Sequence, residues 1–366
     1  MDAARVALTG SGGFLGWHTR AALAATGVHV AAIGLGTDFD EVQASELVAG
    51  CDRVIHLAGV NRGSDNEITD GNVQFARQLL AAMEQAEVRP GVVTFANSVQ
   101  AGNGTVYGYA KKAAGAILRD GCAALGIAFE DVELPNIFGE HGRPFYNSVF
   151  ATFSTLIAGG GSPVIDVDKE LVLVHAQDAV DVLTGAAPLV ALSDRSRIVS
   201  VRELSGLLEE MGAVYASGEI PDISSPFRRD VFNAYRSYTV PGSIPIGLHR
   251  HADARGSFFE ILKSRGGTGQ TSFSTTVPGV TRGDHFHRRK VERFVVLSGR
   301  AVISLRRLFS NEVISIEIDG DDPVAVDMPT MWSHNIRNTG SQELYTAFWT
   351  NDLFDPLNPD TFAEAV

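Results

Sequence analysis

Two groups of residues in this chain have types and spacings suited to chemistry. The first is Ser98, Tyr107 and Lys111. Tyr107 and Lys111 are four apart, so a helix carries both on one face. A free tyrosine ionises near ~10 and relays protons poorly at neutral pH. A neighbouring ammonium favours the phenolate and lowers that value, and a serine hydroxyl can hold a substrate carbonyl toward the phenol. The second group is His285, His287 and Glu292, with His334 further on. Two residues two apart on an extended strand point to the same face. Glu292 follows a polar turn, Arg288-Arg289-Lys290. Two imidazoles and a carboxylate are three ligands for a borderline divalent ion such as zinc, and His334 is a candidate fourth. The plainer reading is a set of interior polar groups that satisfy one another without metal.

The elements that must position the first group begin at the N-terminus. Arg5 to Thr9 reads as a short buried strand, followed by Gly10-Ser11-Gly12-Gly13-Phe14-Leu15-Gly16 and a helix from Trp17 to about Ala25. Glycines at 10, 13 and 16 let the backbone turn tightly around a pyrophosphate at the helix N-terminus, with Phe14 and Leu15 on the same turn. This predicts dinucleotide binding. The second strand, Val28 to Ile33, ends at Gly34 without an acid to hold a ribose 2′-hydroxyl, which tilts the cofactor toward NADP(H). No arginine stands there for a 2′-phosphate. A third strand ends in Leu57-Ala58-Gly59, where the chain must pass close to the cofactor, and Asn61-Arg62 continue it. His29 and His56 read as structural. Ser98 lies at the carboxyl end of the Gly91–Ser98 strand, the end where ligands bind in an open parallel sheet. Another strand, Ile127 to Leu134, ends in Pro135-Asn136. Arg143, Tyr146 and Asn147 are candidates for a nucleotide-sugar diphosphate, and the cluster at 288–290 is a further one. Asp178 reads as a helix cap.

The 366 residues suffice for two domains, and the 45% hydrophobic share is that of a globular protein. The net charge of −13 disfavours nucleic acid and anionic membranes as partners. Two cysteines without metal-type spacing, no leader pattern and no long apolar run suit a cytoplasmic protein. Near residue 244 the texture changes to short strands broken by glycine and charge, at Gln270–Thr276, Arg293–Leu297, Ala301–Leu305, Val313–Ile318, Val324–Met328 and Glu343–Phe348.

The N-terminal half resembles the extended short-chain dehydrogenases, whose catalytic residues match Ser98, Tyr107 and Lys111. In that family the backbone at Leu57-Ala58-Gly59 covers the adenosine and nicotinamide ribose, and Asn136 faces the substrate above the nicotinamide. The stretch from Gly279 to Gly299 resembles the first motif of the cupins. The second cupin motif keeps Pro329, His334 and Asn338 but has Met331 where glycine is usual. Asp253-Ala254-Arg255-Gly256-Ser257-Phe258 resembles the entry of the cupin sugar 3,5-epimerases, which implies that Arg255 holds a phosphate or orders the site. Read by itself it is a surface turn with a local Asp–Arg pair.

Both halves in this order resemble the CapF family of bifunctional capsular-polysaccharide enzymes. The shared marks include His56-Leu57-Ala58-Gly59-Val60-Asn61-Arg62, Tyr107-Gly108, Asn147-Ser148-Val149 and Pro359-Asp360-Thr361. The resemblance implies an α/β Rossmann domain of the extended short-chain dehydrogenase type at 1–244, followed by an all-β cupin, a jelly-roll barrel, at 245–366. It implies a UDP-2-acetamido-2,6-dideoxy-4-hexulose substrate. The cupin would invert C-3, and the Rossmann domain would reduce the C-4 ketone with NADPH. The product would be UDP-2-acetamido-2,6-dideoxy-L-talose, toward UDP-L-FucNAc. Tyr107, Lys111 and Asn136 would also touch cofactor, and Asn61, Arg62, Ser98, Asn136, Arg143, Asn147 and Arg255 would meet substrate. Zn2+ or another divalent ion would sit in the cupin of a homodimer. Two other readings compete: an NADP-dependent reductase whose cupin only dimerises, and an NADP-sensing protein without turnover. Tyr107 and Lys111 argue against the last.

Overall fold

In the computed structural model the structure describes residues 4–366. The chain forms two compact units. One runs to Ile137 and resumes at Leu171–Ile198; the other comprises Phe138–Glu170 and Val199–Val366.

The first unit is built on five parallel strands: β1 (Arg5–Thr9), β2 (His29–Ile33), β3 (Arg53–His56), β4 (Val92–Ser98) and β5 (Ala128–Leu134). Their order is β2-β1-β3-β4-β5. Parallel strands need crossovers, and these are helical: α1 (Phe14–Ala25), α2 (Glu41–Val48), α3 (Asp65–Gln85) and α4 (Val106–Leu125). Alternate strand residues serve two apolar layers. Ala7, Val54, Val93 and Phe95 face α2, α3 and α4 through Val48, Leu79, Met83 and Leu118. Val6, Leu8, Ile55, Ala96 and Val132 join Leu23, Val182 and Leu183 on the other side. Burial on both faces explains why these strands read as continuous apolar runs. Ser64 and Glu67 form a capping box that starts α3. Thr105 caps α4, its hydroxyl accepting from the Gly108 amide at 3.1 Å, and Gly126 ends that helix in the left-handed region at φ 71°. Order, direction and layering are those of a Rossmann fold.

The second unit carries two antiparallel five-stranded sheets. One runs Gln270–Thr276, Leu344–Thr350, Glu292–Ser298, Val324–Met328, Ile246–Gly247; the other runs Val313–Asp319, Arg300–Arg307, Trp332–Asn338, Thr281–Phe286, Phe362–Ala363. Val296, Ile303, Leu305, Ile318, Val326, Met328, Ile336 and Leu344 fill the space between them, as in a jelly roll. The stretches 138–170 and 199–244 pack with this barrel. Buried Glu140 accepts from Thr330 Oγ1 at 2.7 Å. Arg236 donates to the Met328 carbonyl at 3.1 Å, and Asn233 donates to the Arg289 carbonyl at 2.7 Å. Buried Arg293 forms a two-bond ion pair with Asp327 at 2.7 and 2.9 Å. Among the described residues, no helix is long and apolar enough to cross a membrane.

Candidate active sites

The glycine turn is forced by close approach. A Cβ on Gly16 would lie 2.1 Å from the Gly10 carbonyl oxygen, and one on Gly10 would lie 2.8 Å from the Ala58 amide nitrogen. Gly10 also has φ 69°, which disfavours a side chain. Phe14 and Leu15 open α1 directly after Gly13. The ends of β1 and β3 therefore press together, and Thr9 joins them. Its hydroxyl accepts from the Leu57 and Ala58 amides at 3.1 and 3.2 Å. It spends its one hydrogen on His56 Nδ1 at 2.8 Å, so that nitrogen carries no proton. Burial, helped by the Lys111 charge, pushes His56 down to about 3, and His56 is structural as expected. Asn72 lies inside α3. Its amide holds the Val60 carbonyl at 2.7 Å, fixing the turn at Leu57-Ala58-Gly59. Asn61 and Arg62 lie exposed on the loop that follows.

Ser98 ends β4, and its hydroxyl accepts from the Gln100 amide at 3.2 Å. Tyr107 and Lys111 sit on the first turns of α4. Between the tyrosines, Gly108 is the residue that lets α4 close on the turn after Ser98: a Cβ there would be 2.2 Å from the Gln100 carbonyl oxygen. Lys111 is buried, donates to the Ala96 carbonyl at 2.6 Å and lies 4.2 Å from the Phe95 ring centroid. Burial pulls its ammonium down to about 7, against the opposing charge of Asp131. Burial likewise raises the Tyr107 phenol. Asn136, exposed at the start of a short strand, donates to the Val172 carbonyl at 3.2 Å.

In the second unit, His285 and His334 are cross-strand partners, His287 follows the same strand, and Glu292 comes from the facing sheet. Their ligand atoms all lie within 4.8 Å of one another. A register shift at Gly283/His285, with Asp284 at φ 55°, re-aims His285 inward. His287 Nδ1 donates to the Asp360 carbonyl at 2.6 Å, and His334 Nδ1 lies 3.3 Å from the Trp332 carbonyl. Carbonyls accept only, so each ring keeps a proton on Nδ1, and in that tautomer a ring without a second proton turns an Nε2 lone pair inward. Both lone pairs face Glu292 Oε2, at 3.0 and 3.1 Å. Converging lone pairs repel unless a cation lies among them, so the donor set fits a divalent metal ion. Burial opposes ionisation of Glu292; with both Nε2 atoms protonated instead, His287 and His334 would donate to Oε2 and hold the carboxyl well below its usual range. Burial pulls His285 down to about 4, so it is neutral and able to ligate.

Asp360 stood in the sequence only as part of the shared Pro359-Asp360-Thr361 stretch, with no role assigned. Its carboxylate accepts from the amides of Arg288, Arg289 and Lys290 at 3.1, 2.8 and 2.7 Å, so it fixes the turn between His287 and Glu292 while its carbonyl orients His287. Met331, at φ 59° and fully buried, donates its amide to the His287 carbonyl at 2.7 Å. The cupin turn keeps its left-handed conformation without the usual glycine. Arg143 lies 4.8 Å from the Tyr146 ring centroid; it and Asn147 are exposed on the loop before the Val149–Ala158 helix. Arg255 is exposed on a hairpin and paired with Asp253 at 2.6 Å, matching the plain reading of that motif. Asp178 does not cap its helix, which begins after His175; it accepts from Arg195 at 3.0 Å.

Residues 6–201 match the NAD dependent epimerase/dehydratase family, and residues 251–362 match the polysaccharide biosynthesis C-terminal domain. The fold and the first of these matches define a nicotinamide-dependent enzyme of the extended short-chain dehydrogenase class. Within that class the chain belongs to the CapF family. UDP-2-acetamido-2,6-beta-L-arabino-hexul-4-ose reductase of Pseudomonas aeruginosa PA103 is 32% identical over 370 residues, covering 99% of each chain. Capsular polysaccharide assembling protein CapF from Staphylococcus aureus is similar in structure at a TM-score of 0.61, with 29% identity over 99% of this chain and 100% of that one. Spore coat polysaccharide biosynthesis protein SpsL of Bacillus subtilis is 27% identical over 122 residues, 31% of this chain and 81% of that protein.

Proposed function

We propose that this chain is a bifunctional nucleotide-sugar enzyme of capsule or O-antigen synthesis. Its barrel inverts C-3 of a UDP-2-acetamido-2,6-dideoxy-4-hexulose, and its Rossmann half reduces the C-4 ketone to UDP-2-acetamido-2,6-dideoxy-L-talose. The observation that carries the reading is the likeness to the hexul-4-ose reductase along nearly the whole of both chains.

NADPH, held by the Gly10–Gly16 turn and the Leu57-Ala58-Gly59 backbone, would supply hydride to C-4. Ser98 holds the C-4 carbonyl, and Tyr107 gives its phenolic proton to the carbonyl oxygen as charge develops there. Lys111 favours the phenolate left behind. Hydrogen at C-3 is acidic because the same ketone delocalises the carbanion into an enolate. A divalent ion on His285, His287, Glu292 and His334 would supply positive charge beside that enolate. Residues engaged with an ion are poor bases, so proton transfer at C-3 falls to another side chain. The tilt toward NADPH over NADH rests on Gly34, which follows β2 where an acid would hold a ribose 2′-hydroxyl.

The test uses the 4-hexulose in deuterated water. Without cofactor, deuterium should enter at C-3; with NADPH, oxidation should follow at 340 nm, faster than with NADH. No exchange rejects the epimerase half, and no oxidation rejects the reductase half. A reductase with a structural barrel is favoured by one observation, the Glu292 contacts with both histidines, which also describe a metal-free network if the rings are protonated. Metal analysis that finds no bound ion, with exchange absent, selects that reading.

A further inference from the structure

We propose that Asp131 is a positioning residue of the reductase centre: its half-buried carboxylate is the counter-charge that keeps Lys111 cationic. The inference rests on the reductase reading above and adds a residue to it.

Lys111 is 4% exposed, and the groups it touches are neutral: the Ala96 carbonyl and the Phe95 ring. An ammonium so placed is held by dipoles alone unless an anion is near. β5 provides one. Asp131 is the register partner of Phe95 in the β4–β5 pair. Gly115, one helical turn beyond Lys111, shows where its side chain goes: a Cβ on Gly115 would lie 3.3 Å from the Phe95 ring and 3.5 Å from Asp131 Oδ2. Asp131 thus reaches under α4 on the face that carries Lys111. Its Oδ1 is buried with no hydrogen-bond partner, so a nearby cation is the counter-group that this oxygen lacks. Other elements against α4 offer Lys111 no competing charge. β3 presents His56, held neutral. The Val99–Gly102 turn carries no ionisable group. The charged residues of α3, namely Asp65, Glu67, Asp70, Arg77 and Glu84, are exposed. On α4 itself Tyr107 is neutral in its acid form. Glu130, adjacent to Asp131, points elsewhere and pairs with Arg53.

The chain has five lysines, so ε-13C-lysine labelling with a Lys111→Met assignment control resolves the Lys111 titration without turnover. Asp131→Asn, which keeps shape and removes charge, should lower the Lys111 midpoint; Glu130→Gln should leave it. The basic limb of kcat/KM for NADPH-dependent reduction should move to lower pH, with roughly threefold or greater loss at pH 8 and little loss at pH 6. Asp131→Glu should restore part of the shift. An unchanged midpoint in Asp131→Asn overturns the proposal, as does a loss that is equal at all pH values. Should the wild-type chain reduce no 4-keto sugar, the reductase reading fails alone, and the lysine titration still decides the role of Asp131.

Discussion

Replacing Asp360 by alanine should loosen the proposed metal site of His285, His287, Glu292 and His334 without touching any of those four side chains. The carboxylate accepts three successive amides at 3.1, 2.8 and 2.7 Å. Hydrogen bonds to a charged group contribute about 1.5–3 kcal/mol each when buried, and these are only partly buried, so roughly 3 kcal/mol in total is a fair expectation for the turn. The alanine variant keeps the backbone carbonyl that accepts from His287, but frees the segment that holds it at 2.6 Å. Loss of such an outer contact lowers metal affinity by about 10–100-fold. Competition with a chelator, read by elemental analysis of the recovered protein, measures this directly. Asp360→Asn retains an acceptor and should lose less. A variant that binds zinc as tightly as the wild type would refute the claim that the turn orients the ligands.

Three other expectations concern the first unit. Tyr107→Phe should abolish NADPH oxidation while leaving NADPH binding by fluorescence nearly intact; retained turnover would remove Tyr107 from the mechanism. Gly16→Ala puts a Cβ 2.1 Å from the Gly10 carbonyl oxygen, so NADPH affinity should fall roughly tenfold or more, with metal content unchanged. His56 is neutral in the fold down to about 3, against an ordinary value of 6.5. Only the unfolded chain takes up a proton below 6.5, so its contribution to stability is full above that pH and shrinks as pH falls toward 3. Between pH 6.5 and 5 the loss is about 2 kcal/mol. Urea unfolding should show a shallower acid limb in His56→Asn, and an identical limb would contradict the assignment.

Much of this arrangement was legible in the sequence because it is local. The strands Gln270–Thr276 and Val324–Met328 fall where their composition put them. The spacing of Tyr107 and Lys111 is set by the helix alone, as is the glycine turn by its strand and helix. The metal cluster needed one long-range step, His334 against His285, which a motif supplied. What sequence could not give are contacts whose partners lie far along the chain. Asp360 works on residues about seventy positions earlier, and Asp131 reaches α4 only through the β4–β5 register. Gly108 looked like a family mark, but its necessity comes from the Gln100 carbonyl in space. Asp178 misled for the same reason: its partner, Arg195, arrives by folding.

The hydrogen bonds that tie Glu140, Asn233 and Arg236 to the barrel constrain anyone who wants to express either half separately. A fragment starting at residue 245 would leave the Met328 and Arg289 carbonyls and the Thr330 hydroxyl to find water. A fragment stopping at 244 would strand a carboxylate and a guanidinium that now lie in the interior. Since 171–198 belongs to the other unit, no single scissor cut frees the barrel with all its supports. Point substitutions, rather than truncations, are the clean way to silence one of the two proposed activities and read the other.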